Sequence, residues 1–294
     1  MRIKESLGDR FFMISVYFIL TIILIIVLFP LIYVVSASFS SPSAVTSGKV
    51  WLWPVEFSLD GYIATFRDSR ILTGYINSFI YTFLFTIISV VLTILIAYPL
   101  SRKTFWGRNI LMFFIVFTML FEGGLIPLYL VVQKLGMIDT RWAMIFPQAI
   151  AVFQVIIART FFQTTISDDL VEASEMDGCS DLRFLWSIVI PLSKPIIAVL
   201  VLMYAVFQWN SYFDALIYLK SEALYPLQII LRDIIILDTS AGGQMEASEM
   251  LKRQELSNLM KYCLIVVASL PVLIIYPFVQ RHFVKGVMIG SLKG

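Results

Sequence analysis

Between residues 11 and 35 the chain carries no Asp, Glu, Lys or Arg, and the same holds from 79 to 100. An uninterrupted apolar segment of about 20 residues is long enough, as a helix, to cross the hydrocarbon core of a bilayer. Backbone placed there must satisfy its own amides and carbonyls, which a helix does internally. The runs therefore point to an all-α membrane protein. Further apolar stretches follow at 109–121, 142–162, 195–219 and 259–279, giving six expected transmembrane helices. Only 14% of the 294 residues are charged, against about 25% in an average soluble domain. The first run exceeds the apolar core of a signal peptide, roughly 7 to 15 residues. Ser36-Ala37-Ser38 resembles a cleavage site, but the run is expected to stay as the first span.

Basic residues set the orientation. Arg2, Lys4 and Arg10 precede the first span; Arg102, Lys103 and Arg108 follow the second; Arg183 and Lys194 precede the fifth; Arg281 and Lys285 follow the sixth. That side is expected to be cytoplasmic, with both termini and the loop 163–194 on it. Arg232, Lys252 and Arg253 lie on the other side, in a long loop where the rule is weak. The chain then divides into a cytoplasmic segment 1–10, a transmembrane domain 11–280 and a cytoplasmic tail 281–294. A net charge of +2 is too small to suggest nucleic-acid binding, and one His (His282) with two distant Cys offers no metal cluster or disulfide framework. No Gly-rich phosphate loop occurs, so this chain is not expected to bind a cofactor or hydrolyse ATP. No internal repeat is visible, which argues against an ion-driven secondary transporter built from paired halves.

The polar loop 163–194 carries the most informative pattern. Ser167 is placed to accept from free amides at a helix start, and Asp168 and Asp169 suit the positive end of its dipole. Gly178 ends or bends that helix. Leu182, Leu185, Trp186 and Val189 repeat at helical spacing, and Pro191 is expected to close the second helix. On spacing alone this reads equally well as an interfacial amphipathic loop. The letters are more specific. Glu172-Ala173-Ser174, three residues, Gly178, nine residues, then Ile188-Val189-Ile190-Pro191 resembles the EAA loop of permease subunits of bacterial ABC importers. The family pattern is Glu-Ala-Ala, three residues, Gly, nine residues, Ile-x-Leu-Pro; here Ser174 stands for the second Ala and Ile190 for Leu.

Asn77-Ser78 is typical of the same family. Asp177-Gly178 and the segment Pro191 to Pro195 resemble its sugar-importing branch, similar to the maltose-importer permeases. Gly124-Leu125-Ile126-Pro127, Trp209-Asn210 and Lys293-Gly294 resemble the oligosaccharide subgroup. The likeness covers nearly the whole chain. It implies a multi-pass subunit of the bacterial inner membrane, paired with a second, different permease. It also implies two ABC ATPase subunits that hold ATP and Mg, and an extracytoplasmic sugar-binding protein. Glu172, Ala173, Ser174, Asp177, Gly178, Ile188 and Pro191 would then be ATPase-coupling residues. Rival readings are the same machine for a polyol, a phosphodiester or a uronic acid oligomer, and a membrane enzyme or scaffold. Glu246-Ala247-Ser248-Glu249-Met250 repeats the letters of 172–176 without the Gly or the Ile-x-Leu-Pro, and reads as a chance match or an exposed helix.

The substrate pathway is sought where polar groups interrupt apolar runs. Phe207-Gln208-Trp209-Asn210-Ser211-Tyr212-Phe213-Asp214 lies in the fifth expected span. Sugars present hydroxyls to polar groups and flat C–H faces to rings, and Trp209, Asn210, Tyr212 and Asp214 supply both. The competing reading is an aromatic belt or interhelical packing. Glu122 beside Gly123-Gly124 either lines an outer gate or caps the break there. Arg159 is expected to snorkel to the interface.

Overall fold

The computed structural model of the chain describes residues 7–237 and 247–291. The Ser/Gly turn expected at 239–243, Glu246, the first six residues and the Lys293-Gly294 end lie outside them, as do the side chains of the basic tail. No strand occurs among the described residues. In chain order the helices are α1 (Leu7–Ser38), α2 (Pro42–Thr46), α3 (Asp60–Arg67), α4 (Ser69–Ser101), α5 (Arg108–Leu120), α6 (Leu125–Lys134), α7 (Val152–Thr165) and α8 (Asp168–Met176). They continue as α9 (Asp181–Phe184), α10 (Ile190–Leu192), α11 (Lys194–Trp209), α12 (Phe213–Tyr218), α13 (Leu227–Leu237) and α14 (Ala247–Ser291).

Among the described residues, α1, α4 and Gln254–Ile275 of α14 are each long and apolar enough to cross a membrane unaided. Two bent pairs raise the number to as many as five: α5 with α6, bent by 112°, and Asp181–Leu192 with α11, bent by 81°. The first bend follows from Gly123 and Gly124, the latter at φ +87, a region that L residues avoid. The apolar stretch 129–135 after this break reads as a short return helix; in the structure that helix already begins at Leu125, because a proline such as Pro127 is tolerated in a first turn.

The stretch 142–162 departs most from expectation. It is not one helix but a 3₁₀ turn (Arg141–Met144), an irregular segment holding Pro147, and then α7. With 14 residues, α7 is about 21 Å long, short of the roughly 30 Å of a bilayer core. The 195–219 run is likewise divided, into α11 and α12. Asn210 closes α11 by donating its side-chain amide to the Val206 carbonyl at 2.8 Å. The predicted stop at Pro191 also shifts: the chain breaks at Ser193, and a π-helical turn (Leu185–Val189) lies just before the proline. The ring of Pro191 crowds the carbonyl of Ser187 and has no N–H to give it, which a widened turn accommodates.

The chain forms two compact units, 1–71 with 231–270 and 72–230 with 271–294. In the first, Ala37, Ala44, Val45, Val50, Leu259 and Cys263 make the core. α3 approaches α14 so closely that a Cβ on Gly61 would lie 2.5 Å from Cys263 Sγ. Tyr62 donates to Ser38 Oγ at 2.8 Å, and Ser36 donates to the Leu52 carbonyl at 2.7 Å, so the loop after α1 is tied back to its end.

The second unit is built on α4, α7 and α11, which contribute Phe85, Val90 and Ile94, Val155 and Phe162, and Ile196, Leu200 and Tyr204 to one core. Thr93 Oγ1 and Tyr204 OH are 2.6 Å apart between α4 and α11, and the same tyrosine oxygen accepts from the Ala151 amide at 3.4 Å. That amide begins α7 and has no partner within its own helix, so the tyrosine satisfies backbone that an unbroken span would have satisfied itself. At the other end of α4, Asn77 donates to the carbonyls of Ala223 and Tyr225, Tyr81 donates to Leu224, and Ser78 Oγ accepts from the Leu227 amide.

Candidate functional site

α8 stands at the polar end of the second unit. Ser167 caps it by accepting from the Leu170 amide, and Asp168 and Asp169 occupy its first turn. At the far end the Gly178 amide donates to the Glu175 carbonyl and the Cys179 amide to the Ser174 carbonyl, both at 2.9 Å. This pairing requires a left-handed residue between them, and Gly178 has φ +72. The helix presents one face inward. Leu170 and Val171 pack on the core, and Ser174 is 7% exposed, its hydroxyl donating to the Val171 carbonyl. Glu172, Ala173, Glu175, Met176, Asp177 and Gly178 are exposed.

The seven candidate coupling residues therefore divide. Glu172, Ala173, Asp177 and Gly178 share the open surface of α8 and its terminal turn, and Pro191 is exposed on the following helix. Ser174 and Ile188 face the core instead. The apolar face read at 182–189 also separates: Leu185 and Val189 are buried beside Phe184, while Leu182 and Trp186 are exposed. With Met176, at 89% exposure, these leave large apolar side chains standing out beside carboxylates. Such a surface is suited to a protein partner.

What holds α8 in place was not visible in the motif. Lys103 Nζ lies 2.8 Å from Asp168 Oδ2, and Arg102 faces the other oxygen of the same carboxylate at 3.9 Å. Hydrogen bonding from Lys103 holds the Asp168 carboxyl below the usual carboxylate range. Arg159, expected to snorkel outward, instead donates Nε to the Leu100 carbonyl at 2.9 Å. The only sequence signal for these contacts was the run of basic residues that also set the orientation.

The four residues proposed from the fifth span do not converge. Trp209 is buried, its ring centroid 5.1 Å from Phe79 and 5.9 Å from Tyr75. It lines a cavity of about 440 Å³ with Phe79, Phe83, Val206 and Pro271, and with Thr82 and Thr86, whose hydroxyls have no partner among the described residues. Asn210 is spent on its helix end, Tyr212 is exposed beside Phe213 at 6.4 Å, and Asp214 is hydrogen-bonded by Ser211 at the start of α12. Glu122 is exposed at the α5–α6 bend. Sequence reasoning passed over Gln208, which is 5% exposed, with Nε2 unpartnered among the described residues. A buried amide without a partner calls for an explanation. The signal was a lone Gln in an apolar run.

The described residues are all-helical, with several helices apolar enough to cross a membrane and one exposed carboxylate-bearing helix. The chain belongs to the family of binding-protein-dependent transport system inner membrane components, whose family model matches residues 61–288. It is 44% identical to the polygalacturonan/rhamnogalacturonan transport system permease protein YtcP of Bacillus subtilis strain 168, over 97% of this chain and 99% of that protein. Protein LplC of the same organism is 39% identical, over 92% and 90%. A solved bacterial ABC transporter involved in the import of the acidic polysaccharide alginate contains a chain that superposes with a TM-score of 0.87 at 35% identity, covering 96% of this chain and 99% of that one.

Proposed function

We propose that this chain is one permease subunit of an ATP-driven importer that takes oligosaccharides from an external binding protein, and that these come from acidic polysaccharides. The supporting observation is the end-to-end likeness to permeases whose substrates are named as polygalacturonan, rhamnogalacturonan and alginate. Uronic acid oligomers, a rival when only the sequence was read, become the preferred substrate. The scarcity of basic groups in this chain's apolar segments then assigns charge recognition to the partner permease and the binding protein.

In this reading six membrane crossings put both termini and α8 in the cytoplasm, α7 with its irregular lead-in being the fourth. Glu172, Ala173, Asp177 and Gly178 dock in a cleft of an ATPase subunit; Ser174, Ile188 and Pro191 hold the shape of the loop. ATP and Mg belong to the two ATPase chains, whose closure pulls on the loop and turns the cavity outward. Gln208 and Trp209 replace Asn210 and Tyr212 as the first residues to examine along the pathway. The test is uptake of labelled oligogalacturonide into proteoliposomes containing the permease pair, the ATPases and the binding protein. Uptake should require both ATP and the binding protein. Uptake by this chain alone, unaffected by loss of ATP, would overturn the assignment.

A further inference from the structure

The inner ends of α4 and α7 are tied by two arginines pointing in opposite directions. Arg102, one residue beyond α4, is 8% exposed and donates Nη2 to the carbonyls of Phe162 and Ile166, at 3.2 and 3.1 Å, at the end of α7. Arg159, within α7, donates to the Leu100 carbonyl in the last turn of α4. The Leu100 and Ile166 carbonyls lie at helix ends with no following helical amide, and each is met from the other helix's end, while the Phe162 carbonyl also accepts from the Ile166 amide at 3.0 Å. Arg102 is further fixed by Nε on Ser101 Oγ at 3.2 Å and by the Tyr98 ring, 5.5 Å from its guanidinium carbon. Its remaining nitrogen, Nη1, has no hydrogen bond among the described residues and faces Asp168 across 3.9 Å. Lys103 completes the grip on that carboxylate.

We propose that Asp168, gripped by Arg102 and Lys103, is a positioning residue through which displacement of α8 is passed to α4. This rests on the reading of α8 as the segment that meets the ATPase. The loop joining α7 to α8 is only Ile166 and Ser167, and Ile166 is buried with its carbonyl held by Arg102. A pull on α8 is therefore delivered to the α4 end at a charged contact, and is not absorbed in slack chain. The surface motif alone would let α8 dock; the carboxylate makes docking move the bundle.

The experiment uses the reconstituted importer and reads sugar delivered per ATP hydrolysed, with yield of the assembled complex alongside. Binding-protein-stimulated ATP hydrolysis by the unaltered complex is established first; its absence refutes the ATPase reading and with it the Asp168 strut built on that reading, whereas its presence leaves the variants to test the strut alone. Asp168→Asn should lower sugar delivered per ATP by about fivefold, the low end of a coupling between distant sites, at unchanged complex yield. Asp168→Glu, which keeps the charge, should retain most of the coupling. Equal coupling in Asp168→Asn and the unaltered complex would overturn the proposal. So would a loss confined to complex yield and the same in both variants, because that marks a contact needed only for folding.

Discussion

Gly178 separates two reasons for a glycine. A Cβ built there meets nothing within 4 Å, so the isolated chain has room for a side chain. The backbone, however, is left-handed at φ +72, which costs an ordinary L residue about 1–2 kcal/mol and asparagine much less. Gly178→Asn therefore keeps the turn and adds bulk only on the open surface, whereas Gly178→Leu adds both strain and bulk. If the partner's cleft closes tightly over this turn, both variants should lose stimulated ATP hydrolysis. If the turn geometry alone matters, Asn should retain it and Leu should not. Asp139 offers a test on the other polar end. Its carboxylate accepts from the Ser221 hydroxyl and from the amides of Lys220 and Ser221, and these bonds hold its pKa below the ordinary 3.8. A depressed carboxyl stabilises the fold fully above its unfolded value, and that stabilisation is lost as pH falls through the lower folded value. Melting temperature in detergent should thus fall as pH drops through the ordinary carboxylate range toward the lowered folded value. In Asp139→Asn, where φ +58 suits the replacement, melting should be lower at neutral pH and less steep in acid.

At the scale of elements, the sequence was most legible where one physical demand acted alone. The runs 11–35 and 79–100 have to bury hydrocarbon over a membrane's thickness, and both are continuous helix. Ser167 and Gly178 carry caps written in local backbone chemistry, and both ends of α8 fall where they indicate. The broken elements were illegible because their compensation comes from elsewhere in the chain. Nothing near Ala151 says that its amide will be met by Tyr204, 53 residues on, or that Thr93 will hold that tyrosine in place. Likewise Asn210 looked like a sugar ligand because its role as a helix stop depends on where α11 ends. Tyr204→Phe removes the hydroxyl without opening a cavity, leaving Thr93 and the Ala151 amide short of a partner. The expected cost is about 1 kcal/mol, in the range measured for buried hydrogen bonds and for polar contacts between membrane helices. It should appear as a lower unfolding midpoint, and Thr93→Val should lower the midpoint further in the unaltered chain than in Tyr204→Phe. Additive losses would mean that the two hydroxyls act independently.

For the whole molecule, everything proposed about coupling depends on which side of the membrane α8 occupies. The basic residues argue for the cytoplasm, but two of them, Arg102 and Lys103, serve the structure as well, in a helix cap and an ion pair. A residue held for packing reasons is weaker evidence of topology than a free one, so orientation needs its own measurement. The chain provides the means. Cys179 is partly exposed in the turn after Gly178, and Cys263 is buried in α14. With Cys263→Ser, whose small volume change in a buried site costs modestly, Cys179 becomes the single thiol. A membrane-impermeant maleimide applied to intact spheroplasts should leave it unlabelled, and should label it once the membrane is opened. The companion Trp53→Cys, in a Cys179→Ser and Cys263→Ser background, replaces a side chain 80% exposed in the loop after α1 and should react in intact spheroplasts. Labelling of Cys179 from outside would put α8 on the wrong face for any ATPase and end both the coupling assignment and the strut. Labelling of neither thiol before opening would place the α1 loop inside as well, contradicting an odd number of crossings between them.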